Sequence, residues 1–349
     1  MKHVLVFPSD GQGCGCYRMI WPGHAVYNSG KPVNVMNRAP NLDVQNGVIK
    51  GISIGTATAV VFQRPASYQM PQVIPILQER GVKVIIDMDD SLSKIDPRNA
   101  AFKSYDPRAN HNRNWTHAAK ACELADLVTV TTDALAEEYG SHGRVAVIPN
   151  HIPESYLKLE RPENERPIVG WAGYTGTHIG DLRVTNGAIN TAMDGTNATF
   201  VAFGDMAIFS ELGIPVKDPF LNWSFGSIQE YPEKLVRFDI GLVPLKLSDF
   251  NAGKSWLKCL EYAALGIVPV ASPTPDNLLF AELGGCLIAE KPDDWYFKVR
   301  ELILDTDMRL ELSKKVREVA ADWTIEGIGS DGSPNSDKWW EAWSSESML

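Results

Sequence analysis

Lys254, Lys258 and Glu261 stand four and three residues apart, so on an α-helix they share one face. Leu257, Leu260 and Ala264 take the opposite side. Two ammonium groups at a helix N-terminus suit a diphosphate, because the backbone dipole and the side chains attract the same anion. A carboxylate one turn further on can accept hydrogen bonds from ribose or sugar hydroxyls. The plainer alternative is a solvated face on which Lys258 and Glu261 form a weak ion pair. The neighbours favour the first reading. Asn251-Ala252-Gly253 is a small, flexible lead-in that lets backbone N–H groups approach a ligand, and Ser255 adds a hydroxyl. The spacing predicts a helix over 254–265, stopped by Gly266 directly before the apolar run Ile267-Val268-Pro269-Val270-Ala271-Ser272.

Other clusters carry chemistry of their own. Gly11-Gln-Gly13-Cys-Gly15-Cys-Tyr-Arg18 is glycine-rich and opens a helix, so backbone can come close to a phosphate or a substrate; a merely structural turn is the alternative. It is a poor dinucleotide fingerprint, reading G-x-G-x-G rather than G-x-G-x-x-G. Asp87-Met-Asp89-Asp90 ends a central strand with three carboxylates; this invites a metal or a phosphatase reading, and neither fits well, since the first leaves a second α/β series unexplained and the second places its nucleophile after the first strand. Gln63 and Arg64 end another strand and are candidate acceptor contacts. Gly173-Tyr-Thr-Gly-Thr177-His178 follows the first strand of the second half, and its small and hydroxylic residues suit a diphosphate. His178 either contacts phosphate or donor sugar, or caps the helix that follows.

These residues need a frame to hold them. The first half alternates short apolar runs at 4–7, 33–36, 59–62, 82–87, 127–130 and 145–148 with amphipathic stretches at 17–28, 70–80, 115–125 and 133–139. That is the pattern of a doubly wound parallel sheet. Residues 91–114 form a long polar loop of the kind that carries function or moves. Proline and charge cluster between Ile152 and Pro167, marking a linker. A second series follows, with strands at 168–171, 199–203, 223–225, 240–243 and 268–271 and helices at 181–192, 231–238, 254–265 and 295–304. The expected division is 1–155, 156–320 and a tail 321–349. In the tail, Trp339, Trp340 and Trp343 dock a final helix onto a domain, with sugar stacking as the alternative.

Length and composition bound the function. At 349 residues one core is too few and two are expected. No apolar run reaches the ~18 residues a membrane span needs, and the start reads as a strand rather than a signal peptide. A net charge of −10 makes nucleic acid a poor first guess without excluding a local basic groove. Five irregularly spaced cysteines point to a reducing, cytoplasmic setting, with Cys14 and Cys16 in a tight loop rather than a metal site.

Glu261-Tyr-Ala-Ala-Leu-Gly-Ile-Val-Pro-Val-Ala-Ser272 resembles the helix-and-strand signature of GT-B glycosyltransferases. The commonest version has a second glutamate eight residues earlier, where this chain has Gly253. Lys254 and Lys258 are similar instead to a variant "G-K-S-x-x-K-x-L-E-Y" subgroup of the family 4-like enzymes, found in bacteria and phages. The resemblance implies two Rossmann-like α/β domains facing a cleft and transfer of a sugar from a nucleoside-diphosphate sugar, a UDP or GDP form among them, to an acceptor hydroxyl. It implies no metal and no cofactor beyond that co-substrate. Gly13, Gly15 and Arg18 then meet donor phosphate or acceptor. Gly173, Thr177, His178, Lys254, Ser255, Lys258 and Glu261 hold the donor, and backbone groups of Ser227 and Ile228, after Phe225, read the base edge. Asp89 or Asp90 serves as general base for the acceptor, with Gln63 and Arg64 beside it, and Lys254 stabilises the leaving diphosphate. The acceptor is a glycan, a protein or a modified base. A sugar-nucleotide epimerase and a non-catalytic nucleotide- or glycan-binding protein are the competing readings.

Overall fold

A computed structural model describes residues 2–216, 222–223 and 226–344. The chain forms two compact units. The first takes in residues up to Pro97, then Ala101–His151 and the chain from Ile325 on; the second is Arg98–Ala100 with Ile152–Thr324.

The first unit contains β1 (Val4–Phe7), β2 (Val33–Val35), β3 (Leu42–Gln45), β4 (Val48–Ile52), β5 (Ala59–Gln63), β6 (Lys83–Met88), β7 (Leu127–Val130) and β8 (Val145–Val147). Six of them make a parallel sheet in the order β2-β1-β5-β6-β7-β8. Strands β1, β5 and β7 are buried along their whole length, as unbroken apolar runs must be when helices cover both faces. Each expected strand of this half forms within one residue of its expected ends. The antiparallel hairpin β3–β4 was not anticipated. Its turn, Asn46-Gly47, has both residues at positive φ (52° and 77°), and that dipeptide is the strongest short-range hairpin signal there is.

The second unit contains β9 (Ile168–Gly173), β10 (Thr199–Gly204), β11 (Asn222–Trp223), β12 (Ile240–Val243), β13 (Val268–Ala271) and β14 (Leu287–Ile288), all parallel, in the order β11-β10-β9-β12-β13-β14. Residues 224–225 of the expected strand 223–225 lie outside the described residues. The helix expected at 181–192 is broken: Leu182–Thr185 is a 3-10 turn, Asn186 and Gly187 are left-handed (φ 47° and 77°), and an α-helix runs only over Ala188–Met193.

Both sheets reverse their strand order once, between β1 and β5 and between β9 and β12. Adjacent loops leave in opposite directions at such a point, and ligands of open α/β sheets settle in the crevice beyond the carboxyl ends there. The loops after β1, β5, β9 and β12 are therefore the places to look. The last helix, Asn335–Ser344, belongs to the first unit, where Trp339, Trp340 and Trp343 join Val4, Val6, Val61 and Ile85 in one apolar core. Among the described residues no helix is long and apolar enough to cross a membrane.

Candidate functional site

Four expected residues of the first unit meet at the ends of β5 and β6. The Arg64 guanidinium binds Asp89 through Nε and Asp90 through a terminal nitrogen at 3.2 Å. Gln63 Nε2 donates to Asp89 at 3.4 Å and to the Cys14 carbonyl at 3.0 Å, while its Oε1 accepts from Ser9 N at 3.0 Å. The amide of Gln63 thereby ties the loop after β1 to the carboxylates. Arg64 is left-handed (φ 46°), an uncommon conformation for a side-chain-bearing residue, and its N–H donates to the Asp87 carbonyl. Burial pushes the Asp89 carboxyl above its usual range against the pull of Arg64, and lifts the Cys14 thiol to about 12. Asp90 is the more open carboxylate, 20% exposed against 8% for Asp89.

Arg18 is engaged inside the first unit: its side chain is 1% exposed and donates to Asp87 at 2.7 and 3.2 Å and to the Ile148 carbonyl at 2.6 Å. A π-helical turn, Cys16–Ile20, aims it inward. Asp87 also accepts from Thr129 at 2.7 Å, so it answers to Arg18 while Asp89 answers to Arg64, and the Asp-x-Asp pair does not converge on one point. The glycine loop already has its anion. Asp10 Oδ1 accepts from Gln12 N at 2.8 Å and Gly15 N at 3.0 Å, and a Cβ on Gly15 would lie 1.8 Å from the Asp10 carbonyl oxygen. Gly15 is thus required by packing; Gly13 borders open space.

In the second unit the chain before the lysine helix differs from expectation. The helix runs over Leu257–Ala264, with a separate turn at Asp249–Ala252, so Lys254 lies in the link between them. Ser248 caps the short turn through Asn251 N, and the Ser255 hydroxyl accepts from Leu257 N at 3.4 Å. Lys254 Nζ lies 4.5 Å from the centre of the Phe250 ring. Lys258 Nζ donates to the Ala172 carbonyl at the end of β9 and sits 5.1 Å from the Trp171 ring centre. Burial lowers the Lys258 ammonium to about 8, opposed by Glu261 and aided by Lys254.

His178 lies against the same indole at 5.4 Å, with Nδ1 2.9 Å from Asp181 Oδ2. Burial holds its imidazole below the usual value, against the Asp181 bond, and Lys258 and Lys254 lower it further. The structure thus brings His178, favoured in its neutral form, into the field of Lys258 and Lys254. Thr177 Oγ1 donates to the Tyr174 carbonyl, and Gly173 has no room for a Cβ, which would lie 2.5 Å from the Trp171 ring. Glu261 is buried, and Tyr231 donates to it at 3.3 Å. Ser227 is exposed, its hydroxyl accepting from Glu230 N at 3.3 Å; Ile228 is half-buried, and Phe225 lies outside the described residues.

Several residues that hold this site were given no role of this kind in the sequence. Trp171 is the floor under Lys258 and His178. Asp181 accepts from Lys246 N at 3.0 Å and Asn251 Nδ2 at 2.8 Å as well as pairing with His178, and so joins the loops after β9 and β12. Asp205 accepts from Thr175 N and its hydroxyl at 2.8 and 2.9 Å, and the Tyr262 hydroxyl accepts from Ala172 N at 3.2 Å. An aspartate three residues after a histidine beside a helix start was the only local signal; the rest are long-range pairings.

No protein-family model matches the chain, and no curated protein matches it significantly. Among solved structures, that of Anabaena HepE in complex with UDP and glucose is similar over 99% of this chain and 100% of that one, with TM-score 0.62 and 11% identity. WaaG, a glycosyltransferase involved in lipopolysaccharide biosynthesis, is similar over 97% and 99%, with TM-score 0.60 and 11% identity. For TarM the values are 87% and 63%, 0.55 and 12%, so this chain spans less than two thirds of that one. These likenesses establish the fold as that of the GT-B glycosyltransferases.

Proposed function

We propose that the chain is a glycosyltransferase that takes a sugar from a nucleoside-diphosphate donor, binds that donor on its second unit, and needs no metal. The observation that supports this most is the cluster of Lys254, Lys258 and His178 beyond the carboxyl end of β9, next to the point where the strand order reverses. The two ammonium groups there neutralise a diphosphate on binding and gain more as charge develops on it in the transition state, with His178 as a neutral hydrogen-bonding partner, which is how they lower the barrier. Lys258, Lys254 and the backbone around Gly173 and Thr177 take the phosphates. Glu261, oriented by Tyr231, accepts from donor hydroxyls. Ser227 and Ile228 contact the base.

On the first unit, Asp90 or Asp89 takes the proton of the acceptor hydroxyl, with Arg64 and Gln63 fixing both carboxylates. A non-catalytic binding role is the second reading, favoured by Gly253 in place of the upstream glutamate. A thermal-shift survey of UDP-, GDP-, TDP- and ADP-sugars, followed by assay of diphosphate release with and without acceptors, tests both. Binding with acceptor-dependent release supports the transferase; binding without release under any condition supports the second reading; no binding at all removes both.

A further inference from the structure

We propose that the acceptor is an acidic saccharide whose negative charge is received by Lys103 and Arg113, a substrate class that rests on the glycosyltransferase reading above. Between Ser93 and Lys120 the chain carries Lys94, Arg98, Lys103, Arg108, Arg113 and Lys120 against only Asp96 and Asp106, although its overall net charge is −10. Two of the nearby acids are taken by other cations. Asp106 pairs with Arg108 at 3.1 Å, and Glu138 with Lys94 at 3.3 Å. Lys103 and Arg113 are exposed, and no carboxylate among the described residues forms an ion pair with either. Arg113 donates to the Tyr105 hydroxyl at 3.1 Å and lies 5.1 Å from that ring's centre, which orders the guanidinium in advance.

Backbone contacts place this segment beside the candidate base. Asn114 N donates to the Ala66 carbonyl and Tyr68 N to the Asn112 carbonyl, each at 2.9 Å, and Ser67 bridges Arg113. Residues 66–68 follow Pro65 and Arg64, which grips Asp89 and Asp90. An acceptor whose hydroxyl is presented to either carboxylate and which extends along residues 66–68 runs toward Arg113, and toward Lys103 beside Tyr105. An acidic saccharide fits better than a nucleic acid, because a net charge of −10 repels a long polyphosphate backbone. Phe102 and Trp115 pack on each other at 5.9 Å and Tyr105 is covered by Arg113, while the Tyr68 ring is 46% exposed.

A glycan array of neutral, phosphate-bearing and uronate-bearing saccharides, read with the full chain and its K103E/R113E variant, tests this. The wild type is expected to retain acidic glycans selectively and to release them at about 1 M salt, where the screening length falls to about 3 Å. The variant is expected to lose at least about tenfold of that retention, and R113K to keep most of it. Retention of the phosphate or of the uronate class identifies the acid. Equal retention by the variant, preference for neutral glycans, or stronger retention of a single-stranded oligonucleotide overturns the proposal. Calorimetry with UDP-glucose and the other sugar nucleotides on the same samples separates the two failures. Donor binding that persists in the variant shows it folded and leaves the transferase reading standing; a wild type that binds no sugar nucleotide fails that reading instead.

Discussion

On the proposed function, Lys258 is the residue on which donor binding turns. Its ammonium already spends one hydrogen bond on the Ala172 carbonyl and faces the Trp171 ring, so it is fixed at the end of β9 rather than swinging in water. Lys258→Met removes a charge-assisted contact of about 1.5–3 kcal/mol, so calorimetry should show sugar-nucleotide affinity falling roughly tenfold to a hundredfold. The pH dependence has a definite sign. Burial brings this ammonium down to about 8, and the anion binds the protonated form. Donor affinity should therefore hold below pH 8 and weaken as pH rises through it, by up to about tenfold per unit. In Lys258→Arg the break should vanish, since guanidinium stays charged. On the first unit, Asp90→Asn should lower turnover by about a hundredfold or more with donor affinity unchanged, if Asp90 is the base. Full turnover in both Asp90→Asn and Asp89→Asn would remove both from that role.

At the scale of elements, the donor side rests on β9 and β12 lying close under the helix Leu257–Ala264. A Cβ on Gly241 of β12 would come within 2.4 Å of the Tyr262 ring, and one on Gly170 of β9 within 2.4 Å of Phe238. Tyr262 in turn holds Ala172 N, in the same residue as the carbonyl that receives Lys258. Gly241→Ala forces that ring aside. Overpacking of this kind costs about 1–3 kcal/mol, which urea unfolding should detect, together with weaker sugar-nucleotide binding. Strands were the most legible elements: a parallel strand buried on both faces is an unbroken apolar run that little else imitates. Helix starts were less so. Lys254 has the right spacing for the helix face but falls in the link before it, because Ser248 caps a separate short turn that ends at Ala252 and the helix starts only at Leu257. Spacing reports which face a residue would occupy, not where the backbone stops being helical.

For the whole molecule, the chain's last helix completes the core of its first strands. Trp339 and Trp343 are fully buried among Val4, Val6 and Val61, more than 270 residues earlier in sequence. Trp343→Ala should destabilise the protein by about 3–5 kcal/mol, measured by chemical denaturation. Sugar-nucleotide binding to the second unit should persist in the cold.

The sequence by itself determined the fold class, the run of strands, and the gathering of chemical groups at strand ends, because periodicity and turn chemistry are local properties of the chain. It named Gln63, Arg64, Asp89 and Asp90, and the lysines near 254, as groups worth attention. Only the tertiary structure decided which of them meet. It paired Arg18 with Asp87 in the core, closed the glycine loop on Asp10, and set Trp171 and Asp181 under the basic cluster. Charge pairing across 69 residues depends on strand order, and strand order is a property of the folded sheet that no window of sequence contains.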